Sequence, residues 1–447
     1  MSRLVVEGAT LLGLADRKDI RPSTNLYAEG GTIRATGEDA RRLAGQPGEP
    51  VERLDARGKW VLPGFVQAHL HLCQTLLRNG PEDLELMPWL KTHVWPGEAA
   101  HDEETMVVSA RLGLSECLAA GVTAVLDMGT VRHSDVLFVA AARAGVRYAG
   151  GNVLMDDPET APSNLRASAQ EGLAETERLR IRFQDAEDGR LRVAVQPRFA
   201  VSCTDVLMRR AAEYAADKSL LIHTHVSENR GEVDLVRRRT GLGNVAYLDG
   251  TGLLTERTCL AHAVHTDAAD WDVLRARGTS VAHCPTSNMR LASGVCPVRD
   301  LRRAGVNVAL GSDGAACNNS LDPFREMRLA CFLPRTRHTP EGPSAFEALR
   351  MATWDGGHAL RLPGPEGLVP GARADLAILD PEAGWSLPDD WSDEPYGAIV
   401  YSMSPVNVFA TVVDGLVRYR AGDMTVVGLK PSPAEVREAV RSLRSRM

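Results

Sequence analysis

The sequence predicts an α/β protein: a closed (β/α)8 TIM-type barrel flanked by a small β-sandwich built from both ends of the chain. Three observations predict it. From Trp60 onward, short apolar runs rich in Val, Ala and Leu alternate with longer amphipathic segments, in eight successive units. The two flanks instead carry short alternating stretches broken by glycine. Ionisable residues gather where the apolar runs end, the face on which such a barrel builds its active site.

The runs are WVLPGFVQA (60–68), GVTAVLDMG (121–129), RYAGGNVLM (147–155) and LRVAVQPRFA (191–200), then LLIHTHVSE (220–228), TCLAHAVH (258–265), TSVAHCPTS (279–287) and NVALGSDG (307–314). Continuous apolar runs alternating with helices mark parallel strands buried on both faces. Helical segments such as SARLGLSECLAAG and DVLMRRAAEYAADK lie between them. The barrel is expected over 59–365 and the sandwich over 1–58 and 366–447, with Asp414-Gly415 as a hairpin turn. LPGPEGLVPGARAD (362–375) reads as the exit from the barrel.

A chain of 447 residues with 24% charged and 44% hydrophobic residues is ordinary for a globular protein, and its net charge of −7 argues against a nucleic-acid surface. No apolar run suits a bilayer span, and the N-terminus lacks the features of a secretory signal. The eight scattered cysteines form no C-x-x-C pair and read as reduced thiols. A cytoplasmic protein is expected, without nucleic-acid or membrane partners; homo-oligomers are compatible with all of this.

His69 and His71 stand one residue apart at the end of the first run, so on a strand they share a face and converge. A buried lone histidine is usually a hydrogen-bonded core residue. Here the pair is joined by His223, His225 and Glu228 on the fifth run, His262 and His265 on the sixth, His283 on the seventh and Asp313 on the eighth. Convergence on one rim favours a catalytic metal site with a coordination position open for water, zinc or iron by its His and Asp donors. His223 and His225 share a face, so spacing alone does not choose between them. None of the five lysines lies in run 191–200 to bridge a second metal, which favours one ion.

PGFVQAHLH, HTHVSEN, AHCPTSN, LGSDGAACNN and GLVPGARADLAILD together resemble the aminohydrolase branch of the amidohydrolase superfamily, over nearly the whole chain. That resemblance implies removal of a ring substituent from a nitrogen heterocycle with one zinc or iron. It implies His69, His71, His225 and Asp313 as ligands, with His223 in support. It further implies Glu228 as the acid that protonates the ring nitrogen, His262 as the group that steadies the tetrahedral adduct, and Asp313 as the carrier of a water proton to departing ammonia. Two other hydrolytic classes find no match: there is no zinc-deaminase H-x-E with P-C-x-x-C, and no G-x-S-x-G elbow.

The same resemblance leaves three substrate groups. HLHLCQTLLRNGPEDLELMPWL, VWPGE and CNNSLDPFREMRLA are similar to deaminases of S-adenosylhomocysteine, methylthioadenosine and 5′-deoxyadenosine, in which the glutamate matching Glu98 holds the ribose hydroxyls. PRFAVSC and HVSENRGEV are similar to guanine deaminases, whose base-gripping pair matches Arg198 and Phe199, where many adenosine-type members carry His in place of Arg198. Triazine hydrolases share the HLCQTLLRN-like stretch. The expected activity is deamination of a 5′-modified adenosine; guanine deamination is the alternative, ahead of triazine hydrolysis or a catalytically inert binding relative.

Overall fold

A computed structural model of the chain describes residues 2–337, 340–384 and 394–447. Its central sheet is parallel throughout. Phe65–His71 pairs with Val122–Asp127, and the order continues through Arg147–Gly150, Leu191–Pro197, Leu221–Val226, Thr258–His262 and Ser280–His283 to Val308–Leu310. The last run breaks at Gly311-Ser312, and its second piece, Asp313–Gly314, pairs with Leu70 and His71. That pairing closes the barrel and sets Asp313 beside the histidine pair.

Small side chains fill the barrel: Ala68, Ala124, Ala149, Ala194, Cys259, Ala282 and Ala309 form one buried cluster with Val66, Leu126 and Leu221. Helices cover the outside, as apolar strands buried on both faces require. Several begin with reciprocal capping boxes, among them Ser168 with Glu171 and Asp102 with Thr105.

The run 60–68 is not one strand. Trp60–Pro63 pairs with Leu376–Leu379 of the terminal sheet, and the barrel begins at Phe65, later than the expected 59. Gly64 makes the crossing: a Cβ there would sit 2.2 Å from the Thr123 side chain. The run 147–155 is also divided, into Arg147–Gly150 and Val153–Leu154, both alongside Leu191–Pro197.

The terminal segments form one nine-stranded sheet with strands from both ends of the chain. Arg3–Leu12 pairs with Glu52–Asp55 along its first half and with Trp60–Pro63 along its second. Its register against Ile20–Glu29 shifts between Val6 and Ala9, around Gly8. Hydrogen bonds link these strands into one continuous sheet, packed on a core that includes Leu4, Leu26, Ile33, Leu376 and Val412. Asp414 and Gly415 turn the Val408–Val413 hairpin with φ of 55° and 71°, as a two-residue turn of this kind demands. Residues 385–393 of the expected second sandwich segment lie outside the described residues. Barrel and sheet are joined by buried Arg147, which donates to Asp375 at 2.5 and 3.2 Å and to Asp414 at 3.0 Å. Among the described residues, no helix is long and apolar enough to cross a membrane.

Two buried histidines give the fold a pH dependence. Burial lowers His101 to about 4 and His283 to about 3. The unfolded chain takes up these protons near pH 6.5 while the folded chain does not, so unfolding free energy falls as pH drops from about 6.5 toward 4. A shift from 6.5 to about 4 corresponds to roughly 3 kcal/mol. The urea midpoint is expected to fall through that window, and less steeply in a His101→Gln variant. An unchanged slope would remove His101 from this account.

Candidate active site

His69 and His71 end the first strand with ring centroids 4.9 Å apart, both buried. His69 Nδ1 lies 2.8 Å from His223 Nε2, and His223 Nδ1 lies 2.8 Å from the Cys259 carbonyl oxygen. A carbonyl only accepts, so His223 carries its proton on Nδ1 and accepts from His69 Nδ1–H through Nε2. The free lone pair of His69 is therefore on Nε2. That atom is buried without a hydrogen bond and stands 3.2 Å from Asp313 Oδ1, with His71 Nε2 3.3 Å from the same oxygen. His225 donates Nδ1–H to the Arg198 carbonyl at 2.7 Å, which leaves its Nε2 lone pair free as well.

Atoms this close and this electron-rich are stabilised by positive charge among them, from a metal ion or a ring proton. Ligand atoms of His69, His71 and Asp313 lie within 4.8 Å of one another, as do those of His69, His225 and His262. Burial lowers His69 to about 4, and burial with neighbouring histidines holds His225 well below its ordinary range. Burial opposes the charge of Asp313, but contact with His69 and His71 keeps it well below the usual carboxylate range. Neutral imidazoles with an ionised carboxylate form the donor set of a divalent metal. His265 and His283 belong to no such group among the described residues.

Glu228 and His262 complete the rim. Burial pushes the Glu228 carboxyl well up, and the charges of Asp313 and Glu232 push it further, which favours its acid form. His262 Nε2 lies 3.5 Å from Glu228 Oε2 and 3.9 Å from Asp313 Oδ2, between the two carboxyl groups. Ser227, His262 and Asp313 adopt left-handed backbone with φ of 49°, 76° and 60°. Such conformations cost about 1–3 kcal/mol each and cluster at functional sites.

Other side chains hold this geometry, and sequence reasoning passed over them. Glu232 accepts from the backbone N–H groups of Ser227, Glu228 and Asn229, fixing the loop that presents Glu228. Its signal was available: Asn229 and Glu232 form a capping box. Asn288 Oδ1 lies 2.9 Å from His262 Nδ1, and Ser287 donates to Asp313 Oδ2 at 2.6 Å.

Glu98 and Arg198, which separately suggested two substrates, are one buried ion pair. Arg198 donates to Glu98 at 2.6 and 3.0 Å, and Gln74 adds a bond to Oε1 at 2.9 Å. Three of the roughly four lone-pair positions on the carboxylate are thereby used. The Arg198 carbonyl also takes the His225 ring proton, so this residue supports the metal cluster and the substrate wall at once. Arg198 and Phe199 line the cavity over the cluster together with His71, Gln74, Glu228 and His262, under Leu86, Trp89, Leu90 and Leu291.

A parallel barrel with this His, Asp and Glu rim is the architecture of a metal-dependent hydrolase acting on carbon–nitrogen bonds. Residues 60–417 match the Amidohydrolase family, and the chain belongs to it. The 5′-deoxyadenosine deaminase of Methanothermobacter thermautotrophicus is 37% identical over 85% of this chain and 87% of its own length. The 5-methylthioadenosine/S-adenosylhomocysteine deaminase of Symbiobacterium thermophilum is 34% identical over 99% of both chains. An adenosine deaminase from Xanthomonas campestris, solved with bound zinc, superposes with a TM-score of 0.88 at 28% identity, covering 100% of this chain and 98% of the other.

Proposed function

We propose that the protein is a zinc-dependent deaminase of 5′-modified adenosine nucleosides, converting them to the inosine analogue and ammonia. The observation that carries the chemistry is the convergence of Glu228, His262 and Asp313 beside the histidine pair, with His262 Nε2 3.5 Å from Glu228 Oε2 and 3.9 Å from Asp313 Oδ2. His69, His71, His225 and Asp313 would hold the metal, which supplies the Lewis acidity that makes a water nucleophilic near neutral pH.

Water adds to the ring carbon bearing the amino group as Glu228 gives its proton to the adjacent ring nitrogen. Asp313 takes one water proton and returns it to the amino group, which leaves as ammonia when the carbon–nitrogen bond breaks. The hydroxyl left on the ring carbon loses its proton to form the carbonyl, and that proton restores Glu228. His262, within 3.5 and 3.9 Å of the two carboxyl groups, steadies the adduct and bridges the return.

The nucleoside assignment rests on the names of the relatives and on Glu98. With Arg198 and Gln74 already bound, Glu98 accepts one ribose hydroxyl, while Arg198, two of whose five N–H groups are engaged with Glu98, donates to the other. A 2′- or 3′-deoxy analogue is expected to lose about 10–100-fold in kcat/KM, the worth of a hydrogen bond to a charged group. Glu98→Gln is expected to depress nucleoside turnover, and the loss should be larger for the nucleoside than for its 2′- or 3′-deoxy analogue, which already lacks one of the contacts. Ammonia release from methylthioadenosine, S-adenosylhomocysteine, 5′-deoxyadenosine, adenosine, guanine and chlorotriazines makes the test. Arg198, Phe199 and Gln74 on the cavity wall favour guanine as the second reading, and guanine outpacing every nucleoside would establish it.

A further inference from the structure

None of the residues of CNNSLDPFREMRLA (317–330) lines the cavity over the histidines. The stretch nevertheless buries two polar side chains behind it, Asn318 and Glu326. Glu326 stands on the helix Pro323–Phe332 and is 1% exposed. Among the described residues its carboxylate takes three donors, none of them charged. Oε1 accepts from the Thr286 hydroxyl at 2.5 Å and from Asn318 Nδ2 at 2.9 Å, and Oε2 accepts from the Thr286 backbone N–H at 3.1 Å. A buried carboxylate without a cationic partner is costly, and glutamate is almost never fully buried on such terms. Both oxygens must accept here, which a carboxylate can do and a glutamine cannot, because its NH2 would face a donor.

Both partners of Glu326 lead to Asp313. Thr286 belongs to the short helix Pro285–Arg290. Its next two residues are Ser287, which donates to Asp313 Oδ2 at 2.6 Å, and Asn288, whose Oδ1 lies 2.9 Å from His262 Nδ1. Asn318 spends its other N–H on the carbonyl of Ser312 at 2.7 Å, the residue immediately before Asp313. Asp313 itself holds left-handed backbone with φ of 60°, a conformation that persists only where its surroundings over-determine it. One buried carboxylate thus reaches Asp313 twice, through its side chain by way of Ser287 and through its backbone by way of Asn318. The route through Thr286 continues to His262.

We infer that Glu326 is a positioning residue for the hydrolytic step: it fixes the Pro285–Arg290 turn so that Ser287 orients the Asp313 carboxyl and Asn288 orients the His262 ring. It touches no reacting atom and acts through these neighbours. Glu232 does the same for the loop that presents Glu228. Three groups of the site are therefore set by two buried glutamates outside it. The inference rests on the roles proposed for Asp313 and His262, and it holds for any heterocyclic substrate those roles serve.

The test is a mutant cycle on metal-loaded protein: Glu326→Gln, the pair Ser287→Ala with Asn288→Ala, and all three changes together. The deciding quantity is kcat for whichever compound is turned over fastest in the ammonia screen. Should no compound be turned over, zinc dissociation measured by competition with a chelator decides instead. Loss of a residue that orients a metal-site side chain costs about 10–100-fold in activity or metal affinity. Glu326→Gln is expected to show a loss of that size with KM little changed. Added to the Ser287 and Asn288 changes, which already cut the route, it is expected to cost less than about twofold more. An equal cost in both backgrounds would make Glu326 a packing residue and overturn the inference, as would a Glu326→Gln protein that matches the parent. If circular dichroism shows that Glu326→Gln does not fold, Thr286→Val takes its place in the same cycle, removing the hydroxyl and leaving the carboxylate. A guanine-specific enzyme with the non-additive loss overturns the nucleoside reading and keeps Glu326. A nucleoside deaminase with additive losses does the reverse.

Discussion

Glu228→Gln is expected to keep its metal and its ligand affinity while turnover falls by about 10²–10⁴-fold, the usual share of general acid catalysis. The amide matches the acid in size and can donate a hydrogen bond, but it cannot give up a proton to the ring nitrogen. Burial and the charges of Asp313 and Glu232 raise the parent carboxyl well above the usual glutamate range. Its acid form is therefore retained to a higher pH than an ordinary glutamate allows, and the alkaline fall in kcat should report its loss. Single-turnover rates with product affinity measured in parallel separate the proton step from binding. A Gln variant within a few-fold of the parent would remove Glu228 from the mechanism.

Loss of the metal is expected to have the other large effect. Chelation of the parent should abolish turnover, and stoichiometric zinc should restore it. His225→Ala should lose turnover and fail to recover it at stoichiometric metal. Elemental analysis should find one ion per parent chain. Saturating zinc should also stabilise the parent, by about 4 kcal/mol at a concentration 1,000 times Kd. Two ions per chain, or full activity after chelation, would defeat the single-metal assignment.

Much of this site was legible because strand alternation is a short-range rule. His69 and His71 meet because residues two apart share a face, and the strand-end positions of His225, His262 and Asp313 follow from counting apolar runs. What escaped was long-range. Glu98 and Arg198 are 100 positions apart, and nothing local to either says that they pair. Trp89 in LELMPWL reads as an ordinary helical residue, since periodicity does not say what a helix packs against. The division of run 60–68 was hidden for another reason. Both sheets bury their strands, so hydropathy stays high while the chain passes from one to the other at Gly64. Glu232 was readable as a capping residue, but its task of holding Glu228 appears only once the loop is folded.

The terminal sheet also sets an order of events during synthesis. Trp60–Pro63 takes Leu376–Leu379 as its neighbour, a strand made roughly 300 residues later. At about 5–20 residues per second, the ribosome needs roughly 15–60 s to deliver it. Throughout that interval the early strands offer an open, apolar pairing edge, the feature that recruits chaperones or seeds aggregation in a nascent chain. Yield in the cell should therefore depend on translation speed and chaperone supply more strongly than the stability of the finished enzyme would suggest.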